Sequence, residues 1–306
     1  MFGNKIPFFW KSKIHPFTLL LLPFSLIYFL LIKLSKVNSI FNSKLKIKTI
    51  CVGNLYLGGT GKTPLVKKIY DELKKKERCC ILKKFREKHC DEIQLLNIGE
   101  DLFTPKKRIN GLKDAESKGY QTVIIDDGMQ DYSFKKDISI LCIKSKTGFG
   151  NEILLPSGPL REPLKEIKQY KIAVINGEKN EKINDILKKN NPNIKIFYSH
   201  YIINNIKEFY NKKFLAFSGI GDNESFFAIL KKNHITVQDT VEFEDHHKFT
   251  EKEILKLLDR ANNENLKLIT TDKNYNNIPE KYKKIIYNTS IELIINNNND
   301  FLNEIN

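Results

Sequence analysis

Short apolar runs alternate with apolar positions at helical spacing over most of the chain after residue 48. Residues 49–52 predict a buried strand, and a glycine-rich turn separates it from an amphipathic helix built on Leu65, Ile69 and Leu73. Strands that alternate with helices in this way predict βαβ units and a mostly parallel sheet. Four further strand-like runs lie at residues 80–82, 122–125, 138–143 and 172–175.

A smaller α/β segment is predicted from residue 212 onward. Residues 214–217 are strand-like and lead into the turn Ser218-Gly219-Ile220-Gly221, which is followed by an apolar helix and, at 266–270, by another strand. The turn lacks the third glycine of a dinucleotide-binding fingerprint, so we interpret it as a strand-to-helix connection. The asparagine-rich residues 296–299 predict a frayed tail.

An uncharged apolar segment at residues 17–32 precedes this pattern. Its 16 residues would span about 24 Å as a helix, less than the ~30 Å hydrocarbon core of a bilayer, and Pro23 predicts a kink. Lys13 before it and Lys33 after it suit anionic headgroups. We favour a retained helix or helix pair that enters one leaflet. A buried core helix, and a signal peptide or complete span, are the alternatives.

The composition adds a strong positive charge to this picture. The formal net charge is +15, which favours anionic partners such as nucleotides, phosphorylated substrates or an anionic membrane surface, although many lysines could simply solvate the surface. The five cysteines have irregular spacing, which argues against a disulfide framework and structural zinc and fits a reducing compartment. They are Cys51, Cys79, Cys80, Cys90 and Cys142.

The segment between the first strand and its helix, residues 53–64, has the context of a phosphate-binding P-loop. Successive backbone N–H groups and a helix N-terminus would face the phosphates, Lys62 would reach the β- and γ-phosphates, and the Thr63 hydroxyl would bind Mg²⁺. Tyr56 stands where the strict motif has glycine, and a glycine-rich turn without a ligand is the alternative. The predicted nucleotide contacts are Tyr56, Leu57, Gly58, Gly59, Thr60, Gly61, Lys62 and Thr63.

Two adjacent carboxylates end another predicted strand. Residues 123–125 lead into Asp126 and Asp127, and an acid at the carboxyl end of a neighbouring strand is suited to reach the Mg²⁺ held by Thr63. Two adjacent buried carboxylates repel each other unless a cation lies between them. The sequence therefore predicts Thr63, Asp126 and Asp127 as metal ligands, with a polar turn as the alternative.

Four blocks of sequence together resemble the tetraacyldisaccharide 4'-kinase family. The resemblance covers most of the chain to about residue 275, and the combination of the P-loop with Leu-Leu-Pro-x-Gly-Pro-Leu-Arg-Glu is highly specific. The absence of a glycine at position 56 also fits this family. The blocks are residues 52–64, residues 126–130, residues 154–163, and Asp245-His246-His247 with Phe249-Thr250.

The resemblance implies a P-loop NTPase-like α/β fold and a phosphotransferase that uses ATP and Mg²⁺. The γ-phosphate would pass to the 4'-hydroxyl of a tetraacylated glucosamine disaccharide 1-phosphate, at the cytoplasmic face of the bacterial inner membrane. Asp91 and His246 align with the family's catalytic aspartate and histidine, and Asp91 would act as the base or orient His246. Lys62 and Arg161 would complete the catalytic set by binding phosphate.

Several positions depart from the family pattern. Cys90 replaces the glycine before Asp91, Asp131 stands where the family usually has histidine, and Asn274 replaces an acid. The loop between Leu82 and Asp91 is shortened and more basic. Its cations are Lys83, Lys84, Arg86 and Lys88.

These features predict three parts of the chain: a membrane-associated helix at residues 1–40, a P-loop kinase domain at 41–200, and a smaller α/β domain at 212–306 that contributes to the active-site cleft. The expected attachment is peripheral or monotopic. A nucleotide-hydrolysing switch protein at the membrane is the alternative, although no guanine-specifying motif is present. A nucleic-acid-binding ATPase is suggested only by the charge, so we expect no nucleic acid and no obligate protein partner.

Overall fold

The computed structural model describes residues 7–37, 45–85, 96, 98–245 and 247–306. Most of these residues fall into two compact units. The first contains the described residues up to Phe85, together with residues 98–200 and 294–306, and the second contains residues 201–293. The functional domains predicted at residues 41–200 and 212–306 stay a prediction.

The helices and strands alternate along the chain as the sequence predicts. The strands are β1 (Lys48–Gly53), β2 (Cys79–Lys83), β3 (Leu102–Phe103), β4 (Thr122–Asp126), β5 (Ile138–Lys144), β6 (Ile172–Asn176), β7 (Lys195–Ile203), β8 (Lys213–Ser218), β9 (Thr236–Glu242), β10 (Lys267–Thr271), β11 (Ile286–Thr289) and β12 (Ile291–Ile295). The α-helices are α1 (Pro16–Val37), α2 (Lys62–Leu73), α3 (Arg108–Ser117), α4 (Glu181–Asn190), α5 (Asn223–Lys232), α6 (Glu251–Asn263), α7 (Asp272–Tyr275), α8 (Glu280–Lys283) and α9 (Asn298–Ile305). Short 3₁₀ turns lie at Phe8–Lys11, Gly99–Asp101, Leu164–Gln169 and Ile206–Phe209.

The larger sheet has eight strands in the order β12-β7-β6-β5-β1-β4-β2-β3. Every pairing from β7 across to β3 is parallel. All residues of β2 and β4 are buried, as expected for central strands that helices cover on both faces. The predicted α/β class, with a P-loop-type parallel sheet and a smaller second α/β part, is therefore confirmed.

Register in this sheet decides which side chains meet at its carboxyl edge. In the parallel pairing, β1 and β2 both lie beside β4, with Val52 and Lys83 opposite Asp126. The P-loop follows β1 directly, so the start of α2 and the end of β4 share one edge of the sheet. This edge is where open α/β sheets bind their ligands.

The second unit has a four-stranded parallel sheet in the order β11-β10-β8-β9. Apolar residues from β8 and from α6 form one of its cores, including Phe217 and Leu257. Helix α6 begins with a capping box, in which Thr250 and Glu253 each accept a hydrogen bond from the other's backbone N–H.

The structure corrects two sequence-based expectations. The prediction of a frayed tail is wrong, because residues 298–305 form α9 and bury Phe301, whose ring centroid lies 5.4 Å from that of Phe197. The buried-core alternative for residues 17–32 is also wrong, because α1 exposes a series of large apolar side chains. The helix continues through Pro23 for 22 residues, about 33 Å in length.

Candidate active site

The P-loop joins the buried end of β1 to the first turn of α2. Gly61 caps the helix with φ +86, and Gly58 has φ +124, so both adopt backbone conformations that side chains other than glycine rarely tolerate. These conformations let the loop fold back over the helix N-terminus, where unpaired N–H groups favour a phosphate. Lys62, the first residue of α2, follows directly.

The predicted nucleotide contacts within the loop differ in their surroundings. Tyr56 is buried, and its hydroxyl accepts a hydrogen bond of 2.7 Å from the backbone N–H of Lys144. This bond connects the P-loop to the end of β5. Burial raises the pKa of this phenol above its ordinary value. Thr60 is buried as well, whereas Leu57 is exposed. Because the side chain of Tyr56 is buried, we expect a nucleotide contact at this position to come from its backbone.

Thr63 and Asp126 are in contact, as expected from the parallel pairing of β1 with β4. The Thr63 hydroxyl donates to Asp126 Oδ2 across 3.0 Å, and the ammonium of Lys83 binds the same carboxylate oxygen. Asp126 is almost completely buried, and its Oδ1 has no hydrogen-bond partner among the described residues. A buried carboxylate oxygen without a partner is costly unless a cation or donor reaches it.

Asp127 faces a different set of cations. It adopts φ +55 and lies with its Oδ1 3.6 Å from Lys62 Nζ and 3.0 Å from Arg161 Nη1. Burial opposes ionisation of Asp127, but the charges of Lys62 and Arg161 outweigh it and hold its pKa well below the usual range. Asp127 is thus a fixed anion that orients two cations at the P-loop.

Arg161 connects three of the four sequence blocks. Its guanidinium donates to Asn54 Oδ1 (3.0 Å), to Asp127 Oδ1 (3.0 Å) and to Gln130 Oε1 (2.7 Å). The loop that carries it is also fixed to the P-loop by two backbone bonds, from the Arg161 N–H to the Leu55 carbonyl and from Leu57 to Pro159. The sequence blocks at residues 52–64, 126–130 and 154–163 are therefore in direct contact in the folded protein.

Helix α1 contacts the same loop with polar side chains. Ser25 donates to the Leu154 carbonyl (2.9 Å) and lies 2.9 Å from the Ser157 hydroxyl, and the Tyr28 hydroxyl donates to the Arg161 carbonyl (3.1 Å). Lys36 near its end pairs with Glu162 and Glu166. One face of the apolar helix is thereby bound to the loop at residues 154–163, which we call the Arg161 loop.

A cavity of about 410 Å³ opens beside this cluster. Arg108, which sequence reasoning missed, donates to the Asp127 carbonyl (2.7 Å) and pairs with Asp131 (3.3 Å), the residue that departs from the family's histidine. The pairing of Arg108 with Asp131 joins α3 to the segment after β4, which no local pattern reveals. The cavity lining consists of Ser35, Lys84, Arg108, Asp127, Gln130, Asp131, Tyr132, Ser133 and Arg161.

The second unit carries the block around residue 245. Gly219 is required where β8 turns toward α5, because a Cβ there would lie 2.8 Å from the Glu244 carbonyl oxygen. Asn274 fixes this turn by accepting from the Gly219 N–H (2.8 Å) and donating to its carbonyl. Lys273 pairs with Asp245 across 3.1 Å. Two predicted catalytic residues, Asp91 and His246, lie outside the described residues.

The parallel sheet, the P-loop at its carboxyl edge and the acid at the end of the neighbouring strand define a P-loop nucleotide-binding enzyme. A family model described as tetraacyldisaccharide-1-P 4'-kinase matches residues 17–84 and 86–306. The chain therefore belongs to the tetraacyldisaccharide 4'-kinase family.

Individual relatives agree with this assignment. A tetraacyldisaccharide 4'-kinase of Pelagibacter ubique (strain HTCC1062) is 39% identical over 98% of this chain and 97% of its own. One of Rickettsia akari (strain Hartford) is 32% identical over 97% and 95%. A crystal structure of LpxK from Aquifex aeolicus in complex with ATP superposes with a TM-score of 0.70 at 25% identity, covering 94% of this chain and 98% of that chain. The chain is an ATP-dependent tetraacyldisaccharide 4'-kinase of lipid A synthesis, and the switch-protein alternative is not favoured.

Proposed function

We propose that this kinase reaction takes place at the P-loop edge of the larger sheet, with Lys62 and Arg161 on the phosphates and with Mg²⁺ on Thr63 and Asp126. The observation that carries the proposal is the Arg161 guanidinium, which joins Asn54, Asp127 and Gln130 around the P-loop lysine. Phosphoryl transfer depends mainly on positioning and charge neutralisation. A cluster of cations held by the partly buried carboxylate of Asp127 supplies both.

The chemistry of the donors fits magnesium. Thr63 and Asp126 offer hard oxygen atoms 3.0 Å apart, and Asp126 Oδ1 is buried without a partner among the described residues. In the part of the chain that the structure describes, no group of three or more histidine, cysteine or acidic side chains is arranged so that it could hold a metal ion by itself. Mg²⁺ usually binds one or two carboxylates together with substrate phosphates, so a sparse donor set of this kind suits it. When bound, the ion would neutralise phosphate charge.

We assign Asp126 to the metal and Asp127 to the cations. Asp127 was predicted as a metal ligand too, but its carboxylate faces Lys62 and Arg161, so in this proposal it orients them. The predicted backbone contacts of Tyr56, Leu57, Gly58, Gly59, Thr60 and Gly61 with the nucleotide remain part of the proposal. Asp91 and His246 are proposed, on the family resemblance, to orient and deprotonate the acceptor hydroxyl.

We place the disaccharide acceptor in the cavity beside Arg161. Two arginines and Lys84 line it, which suits an anionic sugar phosphate, and Asp127 and Asp131 offer acceptors for sugar hydroxyls. The cavity also borders the end of α1 through Ser35. An acyl chain held at the membrane could therefore accompany the sugar that enters the cavity.

We further propose that α1 holds the chain at the cytoplasmic face of the inner membrane as a monotopic helix. Its length and composition suffice to cross a membrane. However, Ser25 and Tyr28 are bonded to the Arg161 loop, so that face is not available to lipid, whereas the opposite face exposes its leucines. A helix with one apolar face free suits the interface of an anionic membrane.

The test is transfer of label from [γ-³²P]ATP to a tetraacyldisaccharide 1-phosphate in detergent micelles. The unaltered chain should label the lipid, and Lys62→Ala should abolish labelling while the circular dichroism spectrum stays unchanged. Lys67→Ala, on the outer side of the same helix and paired with Asp71, is the matched control and should retain activity. Label transfer by Lys62→Ala within a few-fold of the unaltered chain would contradict the proposed site.

A further inference from the structure

Lys83 is a buried cation at the carboxyl edge of the larger sheet. It ends β2, directly opposite Asp126 in the parallel register with β4. Only 8% of its side chain is exposed, and 1% of that of Asp126. The sequence suggested that Lys83 begins the short basic loop after Leu82, so its position in β2 beside the P-loop was not predicted.

The ammonium of Lys83 contacts the oxygens assigned above to Mg²⁺. It donates to Asp126 Oδ2 and lies 3.3 Å from the Thr63 hydroxyl, which itself donates to the same carboxylate oxygen. The two lysines and two aspartates at this edge therefore form two separate ion pairs. Lys62 lies beside Asp127, and Lys83 lies beside Asp126.

Burial makes this second pair mutually dependent. A buried carboxylate without a cation, or a buried ammonium without an anion, carries a large desolvation cost, and pairing the two charges compensates this cost. A divalent cation at the same oxygens would repel the ammonium at close range, and the burial of both side chains limits the screening of this repulsion by solvent. The ammonium and a divalent cation therefore compete for Asp126 Oδ2 and the Thr63 hydroxyl oxygen.

We propose that Lys83 is an internal counterion that occupies the cation-binding oxygens of Thr63 and Asp126 in the nucleotide-free protein and has to be displaced when a divalent cation binds. The inference rests on the proposed Thr63–Asp126 metal site and deepens it. While it is bound to Asp126, the Lys83 ammonium neutralises the carboxylate and opposes metal binding before ATP arrives. A binding competition of this kind lowers the apparent metal affinity without changing the ligands.

Titration of the full chain with Mn²⁺ alone, followed by electron paramagnetic resonance in detergent and without nucleotide, tests the inference. Lys83→Met keeps an unbranched side chain that is one atom shorter and removes its charge. We expect it to bind Mn²⁺ about tenfold more tightly or better, since removing one partner leaves an uncompensated buried carboxylate. Lys83→Arg, which keeps the charge, should remain weak, and Lys84→Met controls for loss of a neighbouring charge. Equal affinity of Lys83→Met and the unaltered chain would overturn the inference.

A second measurement needs no substitution. Acetylation of Lys83 by an amine-reactive reagent, read by peptide mass spectrometry, should be slow in metal-free buffer and faster at saturating Mn²⁺, because the metal releases the ammonium. Equal rates in both buffers would also overturn the inference.

The metal site itself has a separate control. If Asp126→Asn binds Mn²⁺ with ATP as tightly as the unaltered chain does, the proposed metal site is wrong. If Asp126 is required and Lys83 has no effect on the affinity for Mn²⁺ alone, only the role of Lys83 is wrong.

Discussion

The guanidinium of Arg161 lies 3.0 Å from the carboxylate of Asp127, although the two residues are separated by 34 positions in the sequence. The same guanidinium also binds Asn54 and Gln130, so one side chain uses its planar fork to hold three parts of the P-loop edge. Lys62 shares Asp127 with it. Loss of the fork should therefore misplace the phosphate-binding lysine as well as remove a charge.

We predict that Arg161→Lys lowers kcat/KM for ATP about tenfold to hundredfold, because an ammonium cannot reach all three partners and hydrogen bonds to charged groups contribute about 1.5–3 kcal/mol each. The measurement is steady-state label transfer to the lipid acceptor. Arg260→Lys, an exposed arginine of α6 that pairs with Asp239, is the control and should retain activity. Unchanged kinetics of Arg161→Lys would show that its charge alone matters.

Local sequence patterns predicted the elements around this cluster but not all of its contacts. The apolar runs of β1 and β4 and the glycine-rich turn are short-range signals, and parallel strands bring their carboxyl ends to one edge, so the proximity of Thr63 to Asp126 follows from the sequence. Their roles in catalysis stay predictions. Asp91 and His246 came from the family resemblance, and the structure does not describe them.

Other contacts could not be predicted because they join distant segments through single side chains. Nothing in the pattern of residues 108–117 points to Arg108 as a partner of Asp131, and Ser25 and Tyr28 look like ordinary members of an apolar segment. The prediction of a frayed tail at residues 296–299 was wrong for a related reason. Its asparagines suggest a loop, but Phe301 and Ile305 at helical spacing are buried in the first unit, and such packing outweighs low intrinsic propensity.

The exposed face of α1 yields a prediction about membrane binding. Leu20 and Leu34 are 67% and 61% exposed, and burial of a leucine contributes about 1.5–3 kcal/mol. The double variant Leu20→Glu, Leu34→Glu should therefore partition at least about a hundredfold more weakly onto phosphatidylglycerol vesicles, as measured by co-sedimentation. Leu255→Glu, an exposed leucine of α6, should sediment as the unaltered chain does.

Substitution tests this helix better than deletion does. Removing residues 1–36 would also remove the bonds of Ser25 and Tyr28 to the Arg161 loop, so a loss of activity could not be ascribed to the membrane. The glutamate variants leave those bonds in place. Continued sedimentation of the double variant would contradict the proposed anchor.

The capping box of α6 predicts a pH-dependent stability. The backbone N–H and the hydroxyl of Thr250 donate to Glu253 and lower the pKa of its carboxyl to about 2. A carboxylate with a depressed pKa stabilises the fold above its ordinary pKa of about 4.3 and loses this effect as the pH falls toward 2. Glu253→Gln should therefore lower the melting temperature at pH 7, by the equivalent of about 0.5 kcal/mol, and the difference should vanish near pH 2.

Thermal circular dichroism at several pH values measures this difference. Glu264→Gln, at the opposite end of the same helix, is the control and should not destabilise, because the helix dipole disfavours a carboxylate there. A difference for Glu253→Gln that persists undiminished to pH 2 would contradict a role for its charge.

The two adjacent aspartates should respond differently to loss of charge. Asp126 lies with Thr63 and has one carboxylate oxygen without a partner among the described residues, so Asp126→Asn should raise the Mg²⁺ concentration needed for half-maximal activity about tenfold or more. Asp127 lies with Lys62 and Arg161. Asp127→Asn should lower kcat about tenfold to hundredfold at saturating Mg²⁺ and leave the Mg²⁺ dependence unchanged, because it releases the two cations and not the metal.

Label transfer measured across a range of Mg²⁺ concentrations separates these outcomes. Asp71→Asn, on the exposed side of α2 and paired with Lys67, controls for loss of one negative charge near the P-loop. If Asp127→Asn also shifts the Mg²⁺ dependence, both carboxylates bind the metal, and the assignment of Asp127 to the cations alone is wrong. If neither variant shifts it, the metal does not depend on this edge of the sheet. The sharp expectation is that only one of two consecutive aspartates binds magnesium, because the left-handed backbone at Asp127 directs its side chain to a different set of partners.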